Sequence, residues 1–202
     1  MNENLIEVIK NEKIFPILRC SDAKIALDTA KALIDGGVKV LEINAEHPAV
    51  YSAMSEISKY AGVCAGGIIT SMQAQAAISA GAKILSSPIF HMNLAKISKN
   101  SQIPYIAGTS TANEAYSAWK ARIPLIKIFP ITAMGGAMYI EDLLRPMPFL
   151  EIMPIGNVKL DEVKDYIKAG AAAVGVGRDF YEGYSYTEIT KRAQKIIAEL
   201  KG

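Results

Sequence analysis

The sequence predicts an α/β fold, a closed (β/α)8 barrel preceded by one additional N-terminal helix. Three observations support this prediction. Short apolar runs, typical of strands buried on both faces, alternate with longer segments of helical periodicity. Eight such units fit into 202 residues, the compact end of the range for this barrel. No Gly-x-Gly-x-x-Gly motif opens the chain, which disfavours the alternative, an open doubly wound sheet.

The eight predicted strands are short apolar runs bounded by turn residues. They cover residues 15–19, 38–44, 62–68, 84–88, 105–108, 125–130, 151–156 and 173–177. Because parallel strands of a barrel all point the same way, the residues that end these runs are expected to meet at one mouth.

The segments between the strands have the periodicity of amphipathic helices. In the first of them, Ile25, Ala26 and Ala30 recur at the spacing that buries one helix face. The predicted helices cover residues 21–35, 48–60, 71–80, 111–121, 140–144 and 161–169, with Ser21 and Thr111 as N-caps. Residues 2–13 form the additional helix, which would cover the bottom of the barrel. No linker or low-complexity segment is visible, so we expect one domain over residues 1–202.

Composition and charge favour a small-molecule ligand. The formal net charge is +2, and Lys and Arg are spread along the chain without a basic block, so we expect neither a nucleic-acid nor a membrane partner. The first thirteen residues are too interrupted by charges for a signal peptide, so we expect a cytoplasmic protein. The two histidines and two cysteines form no metal-binding pattern, so we expect no metal and no cofactor.

Lys127 is the most informative residue, because it lies in the otherwise apolar run LIKIFP at residues 125–130. A buried ammonium is costly unless it has a partner or a purpose. A desolvated lysine is also a nucleophile that attacks carbonyl carbon to form a Schiff base. The simpler interpretation is a lysine that extends past the strand end or pairs with a carboxylate.

Two more charged residues lie at the ends of predicted strands. Glu42 is near the end of the second strand, on the same face as Val40 and Asn44, and Arg19 ends the first strand. Catalytic groups of this barrel lie at the C-terminal ends of the strands. Lys127, Glu42 and Arg19 are therefore expected to converge on one site.

Several stretches carry a family resemblance that runs from Phe15 to Gly183. They are PILR at 16–19, LEI at 41–43, AG at 65–66, SP at 87–88, Gly108 with 111–114, KIFP at 127–130 followed by GG at 135–136, Pro154 with Gly156, and VGVG at 174–177. With them the sequence resembles the family of 2-keto-3-deoxy-6-phosphogluconate (KDPG) aldolases and 4-hydroxy-2-oxoglutarate (KHG) aldolases, including related 2-keto-3-deoxy-6-phosphogalactonate aldolases.

The resemblance implies a metal-independent class I aldolase of carbohydrate metabolism, a homotrimer, that cleaves a 2-keto acid to pyruvate and an aldehyde. The substrate would be a 2-keto-3-deoxy-6-phospho-sugar acid, giving glyceraldehyde 3-phosphate, or 4-hydroxy-2-oxoglutarate, giving glyoxylate. Lys127 would form the Schiff base, Glu42 would move protons, and Arg19 would bind the substrate carboxylate. The other substrate-binding residues would be Gly66, Pro88, Phe129, Gly156, Asn157, Gly177 and Arg178.

The sequence departs from the family pattern in four places. Glu46 follows strand two where relatives with phosphorylated substrates often have arginine, and Gly67 replaces the threonine of a Gly-Ala-Gly-Thr motif. Strand seven ends Pro-Ile155-Gly-Asn157 instead of Pro-Thr-Gly-Gly, and Arg178 replaces a serine after strand eight. The loops after strands seven and eight are the usual phosphate site of this barrel.

Three interpretations of Arg178 stay open: it binds a phosphate, it binds a second carboxylate, or it points outward to Asp179 or Glu182. Two rival functions stay open as well. One is another phosphate-binding barrel enzyme, an isomerase or synthase, which would not require Lys127. The other is a non-catalytic relative that only binds a keto acid.

Overall fold

The computed structural model describes residues 4–201, in which eight parallel strands and the surrounding helices form a barrel. The strands, in chain order, are β1 (Ile14–Leu18), β2 (Val40–Asn44), β3 (Gly62–Gly66), β4 (Ile84–Ser87), β5 (Tyr105–Thr109), β6 (Leu125–Ile128), β7 (Ile152–Pro154) and β8 (Val174–Val176). Strands β1 to β7 lie side by side in chain order, each paired with the next, and β8 pairs with the other edge of β1. A single bridge between Ile155 and Gly175 closes the barrel between β7 and β8. The predicted (β/α)8 fold is confirmed.

The helices lie outside the strands. In chain order they are α1 (Leu5–Glu12), α2 (Ala23–Asp35), α3 (Val50–Ile57), α4 (Ser71–Ser79), α5 (Met92–Ser101), α6 (Ala112–Lys120), α7 (Ala137–Leu144), α8 (Val163–Lys168) and α9 (Tyr186–Lys201). Short 3-10 turns follow β6, precede α8 and follow β8, at Ile131–Met134, Leu160–Glu162 and Arg178–Phe180. Within residues 4–201, no helix is long and apolar enough to cross a membrane.

Two apolar layers hold these elements together. The outer layer packs the helices against the barrel, and the inner layer fills its lower half with side chains such as Phe15, Val40, Ile106 and Met153. α1 belongs to the inner layer, because its buried Ile9 joins that cluster. The additional helix is therefore confirmed as a cover for the barrel bottom; Asn2, its predicted start, lies outside the described residues.

Several predicted boundaries differ from the structure. Six of the predicted strands, all but the second and the fifth, end one or two residues too late. In four of them the residues concerned include predicted site residues, since Arg19, Pro88, Phe129 and Gly177 lie in the loops beyond β1, β4, β6 and β8. These residues have left the strand ladder, which lets their side chains or backbone face the mouth. The helices α5 and α9 were not among the predicted segments, although the buried Ile189, Ala193, Ile196 and Ile197 of α9 follow the spacing of one helix face.

The N-caps were predicted with mixed success. Thr111 caps α6 and forms a capping box with Glu114, as the sequence indicates. The cap of α2 is Asp22 instead of Ser21: its carboxylate accepts a hydrogen bond from the backbone N–H of Ile25 at 2.9 Å. Ser and Asp are both common N-cap residues, and the helix begins one residue later than predicted, which makes Asp22 the cap.

Candidate active site

Lys127 and Glu42 form a buried ion pair inside the upper half of the barrel. The Nζ atom of Lys127 lies 2.5 Å from Oε2 of Glu42, and the two side chains are only 7% and 4% exposed. Both point inward because they alternate along β6 and β2 with residues that face the helices. A buried charge pair contributes little net stability. The pair is therefore a candidate for chemistry.

Two residues of β3 hold the Glu42 carboxylate in place. The thiol of Cys64 donates to Oε2 at 3.6 Å. Burial, reinforced by the charge of Glu42, raises the pKa of this thiol well above its usual value, so the thiol remains a donor. Gly66 lies on the other side of the carboxylate, where a Cβ atom would overlap Oε1 of Glu42. Gly66 lines neither of the cavities described below, and its predicted substrate contact stays a prediction.

The ion pair borders a cavity of about 390 Å³ at the C-terminal ends of the strands. Of the predicted residues, Arg19, Pro88 and Phe129 line this near cavity together with Lys127 and Glu42. The rest of the wall comes from Ile17, Asn44, Glu46, Gly67, Ile69, Gln73 and Ile155. The structure thus brings together the three charged residues that the sequence places at strand ends.

Arg19 lies at the rim of the near cavity. Its Nη2 atom is 3.4 Å from Oε1 of Glu46, and both side chains are largely exposed. The hydroxyl of Tyr181 accepts a hydrogen bond from the backbone N–H of Arg19 at 3.0 Å, which fixes the backbone of the loop. An exposed ion pair of this kind is weak. The guanidinium of Arg19 is therefore available to a stronger anionic partner.

A second cavity, of about 520 Å³, extends from the first toward the loops after β7 and β8. The two cavities share the wall residues Ile17, Arg19, Phe129 and Ile155. The predicted residues Gly156, Asn157, Gly177 and Arg178 all line this distal cavity. Gly156 and Asn157 have φ angles of 116° and 55°. Left-handed backbone at both positions turns the chain sharply away from β7 and opens this wall.

Arg178 is exposed at the start of the turn after β8, on the wall of the distal cavity. Within residues 4–201, no carboxylate lies within ion-pair distance of its guanidinium. Asp179 instead lies 3.5 Å from Arg192 and accepts a hydrogen bond from the backbone of Leu160. The interpretation in which Arg178 pairs with Asp179 or Glu182 is therefore wrong. Lys159, which the sequence analysis missed, adds a third cation to this wall, after Arg19 and Arg178.

The site combines a nucleophile, a proton carrier and two regions suited to anions. Lys127 and Glu42 are close enough to exchange a proton directly, which frees a neutral amine for attack on a carbonyl group. Arg19 serves the near cavity, and Arg178 with Lys159 serves the distal one. Among the described residues, no three His, Cys, Asp or Glu side chains are grouped so as to hold a metal ion.

Sequence reasoning missed some residues of the cavity walls. Asn44 could have been found, because its spacing in β2 places it on the same inward face as Glu42. Ile17 and Ile155 follow the same inward alternation in β1 and after β7. No strand alternation could indicate Gln73 and Tyr181, because Gln73 lies in helix α4 and Tyr181 directly follows the 3-10 turn after β8.

Comparison with known proteins agrees with this geometry. The family model for KDPG and KHG aldolases matches residues 5–196. The KHG/KDPG aldolase of Escherichia coli K12 is 27% identical over 96% of this chain and 95% of its own. The 2-dehydro-3-deoxy-6-phosphogalactonate aldolase of the same organism is 28% identical over 93% of each chain.

Comparison with solved structures shows that the fold is shared as well. A crystal structure of a 4-hydroxy-2-oxoglutarate/2-dehydro-3-deoxyphosphogluconate aldolase from TTHB1 superimposes with a TM-score of 0.88 at 24% identity, covering 96% of this chain and 98% of the other. The matched family model covers nearly the whole chain, including every element that builds the two cavities. This chain therefore belongs to the KDPG and KHG aldolase family.

Proposed function

We propose that this protein cleaves a 2-keto-3-deoxy sugar acid, phosphorylated at its far end, to pyruvate and an aldehyde through a Schiff base on Lys127. The observation that carries the proposal is the buried contact of 2.5 Å between Lys127 and Glu42 at the wall of a cavity. Family membership supports the class I aldolase chemistry. The roles of the individual residues are our assignment from the geometry.

The reaction begins when Glu42 takes a proton from Lys127 and the free amine attacks the 2-keto carbon. Glu42 returns this proton to the hydroxyl of the resulting carbinolamine, which leaves as water and gives an iminium ion that serves as an electron sink. Glu42 then removes the proton of the C4 hydroxyl, the C3–C4 bond breaks, and the aldehyde leaves. The electron pair of that bond remains as an enamine, which Glu42 protonates at C3. Addition of water releases pyruvate and restores Lys127.

The remaining residues position the substrate in this proposal. Arg19 gives up its exposed contact with Glu46 and binds the carboxylate with its planar guanidinium. Phe129 and Pro88 cover the bound keto acid. In the distal cavity, Gly156, Asn157, Gly177 and Arg178 surround the far end of the substrate.

A phosphate at the far end is favoured over a second carboxylate. The distal cavity is lined by three cations, Arg19, Lys159 and Arg178. It is also lined by two acids, Asp179 and Glu182, of which Asp179 is already paired with Arg192. A phosphate has more oxygens and more charge to engage such a wall. This preference predicts that 4-hydroxy-2-oxoglutarate is the poorer substrate, which a direct comparison of kcat/KM for the two compounds would test.

The Schiff base itself is tested by trapping. The protein is incubated with pyruvate and borohydride, and its intact mass is measured for the wild type, for Lys127→Met and for Lys83→Met. Lys83 is an exposed lysine at the opposite end of the barrel, which makes it a matched control. We expect one reduced pyruvyl group on the wild type and on the Lys83 variant, and none on the Lys127 variant. A wild type without an adduct would refute the proposed function.

Two further features stay predictions. The family resemblance supports a homotrimer, which light scattering coupled to size-exclusion chromatography would check. The cytoplasmic location expected from the sequence also stays a prediction, which fractionation of the source cells would check.

A further inference from the structure

The side chain of Asn44 is a buried polar group that the proposed chemistry leaves unused. Asn44 is the last residue of β2 and faces inward on the same side as Glu42. It is 6% exposed and lines the near cavity. Its Oδ1 atom is buried and has no hydrogen-bond partner within residues 4–201. Buried amides are almost always hydrogen-bonded, and the oxygen as placed lacks a donor. A carboxylate ligand, which only accepts, complements this position when the amide is turned over and its NH2 group takes the place of the oxygen.

Gly67 makes room for this amide. Gly67 has a φ of 69° and also lines the near cavity. A Cβ atom at this position would overlap Oδ1 of Asn44 and would lie 3.0 Å from its Cγ and 3.1 Å from its Nδ2. The amide of Asn44 therefore occupies the space that a side chain at position 67 would fill. A side chain at position 67 and the amide of Asn44 could therefore not be present together.

The division of the cavity indicates which part of the substrate reaches Asn44. A keto acid bound at C2 by Lys127 has a short arm, the C1 carboxylate, and a long arm that begins at C3. The distal cavity is the larger one and has Arg178 at its wall, so it suits the long arm. The short arm must then point into the near cavity, toward the wall that Asn44 and Gly67 form.

Asn44 is also the polar group of this wall that is free to bind. Glu42 is paired with Lys127, and Glu46, which Arg19 leaves in the proposed reaction, is itself an anion, so neither carboxylate can bind the carboxylate of the ligand. The Oε1 atom of Gln73 accepts hydrogen bonds from the backbone at the start of α4. The Asn44 amide can turn about its last side-chain bond and present its NH2 group to an anion.

We propose that the side-chain amide of Asn44 binds the C1 carboxylate of the 2-keto acid together with the guanidinium of Arg19, in the space that Gly67 leaves open. Asn44 is thus a specificity-determining residue that selects keto acids over simple ketones, and Gly67 is the residue that positions it. The inference rests on the proposed Schiff base at Lys127, so its test is designed to separate the two.

The test compares trapping of pyruvate with trapping of hydroxyacetone, a ketone that lacks the carboxylate. Borohydride labelling is measured against ligand concentration for the wild type and for Asn44→Leu, which keeps the size of the side chain and removes its hydrogen bonds. We expect the pyruvate concentration for half-maximal labelling to rise about 10- to 100-fold, the usual loss for a hydrogen bond to a charged group. Labelling by hydroxyacetone should remain as in the wild type.

Other results would overturn the inference. An equal loss for both ligands would mean that Asn44 only supports the structure, and no loss for either would mean that it does not touch the ligand. Absence of labelling with both ligands in the wild type would refute the Schiff base itself and this inference with it.

A second pair of variants tests the shared volume. Gly67→Ala should displace the amide and cause the same pyruvate-specific loss as Asn44→Ala, and the double variant should lose no more than either single one. Melting curves of all variants show whether each one is folded. Additive losses in folded variants would contradict the shared volume.

Discussion

The buried pair of Lys127 and Glu42 makes a sharp prediction about stability. Each charge has the other as its near partner, at 2.5 Å, in surroundings that leave 7% and 4% of the side chains exposed. Replacing one partner with a neutral residue of similar shape leaves the other charge buried and uncompensated. Replacing both removes the two desolvation costs together. We therefore expect Lys127→Met and Glu42→Gln to be destabilising alone and nearly neutral in combination.

The magnitude follows from the burial. Removal of one partner from a buried ion pair costs about 3–5 kcal/mol, whereas replacing both charges is often neutral or stabilising. For a domain of this size, 1 kcal/mol corresponds to roughly 2–4 °C in the melting temperature. Each single variant should therefore melt about 6–20 °C below the wild type, and the double variant should recover most of that difference.

The assay is a double-mutant cycle on the free energy of unfolding, measured by denaturant titration at neutral pH. Its matched control is the same cycle on Lys168 and Asp165, a pair at 3.6 Å whose side chains are 78% and 69% exposed. Exposed pairs in one helix contribute little, so this cycle should show no measurable coupling. Additive effects of Lys127→Met and Glu42→Gln would refute the reasoning, because they would mean that the two charges do not depend on each other.

Three more predictions concern the neighbours of this pair and one surface contact. Gly66→Ala should lower kcat by about 100-fold, because the added Cβ displaces the Glu42 carboxylate, and steady-state kinetics with a folded variant would show it. Cys64→Ala removes a thiol donor from Glu42 and should lower kcat less than about ten-fold with KM unchanged; a larger effect would contradict a mere positioning contact. The hydrogen bond to Asp35, 2.6 Å long, raises the pKa of Tyr186 to about 12. Its small contribution to stability is therefore complete below about pH 10 and is lost as the pH rises through 12. Absorbance titration should show this late step in the wild type, its absence in Tyr186→Phe, and a shift to lower pH in Asp35→Asn.

Much of the site could be predicted because its signals are local. Lys127 and Glu42 each interrupt an apolar run, and period two gives the direction of their side chains from the sequence alone. The barrel rule then places both at the same mouth, because all eight strands end there. Gly156 and Asn157 form a left-handed turn, and glycine and asparagine are the residue types that most readily adopt positive φ.

Other features could not be predicted, because they depend on a neighbour that is remote in sequence. The partner of Arg19 is Glu46, and Asp179 turns to Arg192, so Arg178 remains without a carboxylate among the described residues. Such choices between several nearby charges depend on differences of an ångström or two. No periodicity encodes differences of that size.

The sequence by itself determined the alternation of strands and helices, the inward face of each strand, and the presence of a lysine and a glutamate at barrel strand ends, because these follow from local burial and chirality. Only the tertiary structure decided that Lys127 contacts Glu42 across 85 residues of chain, that the Asn44 amide fills the space beside Gly67, and that Arg19 and Phe129 line both cavities. The physical reason is that closing the barrel brings side chains of distant strands together at van der Waals distance. Which atoms then meet depends on the packing of the whole chain.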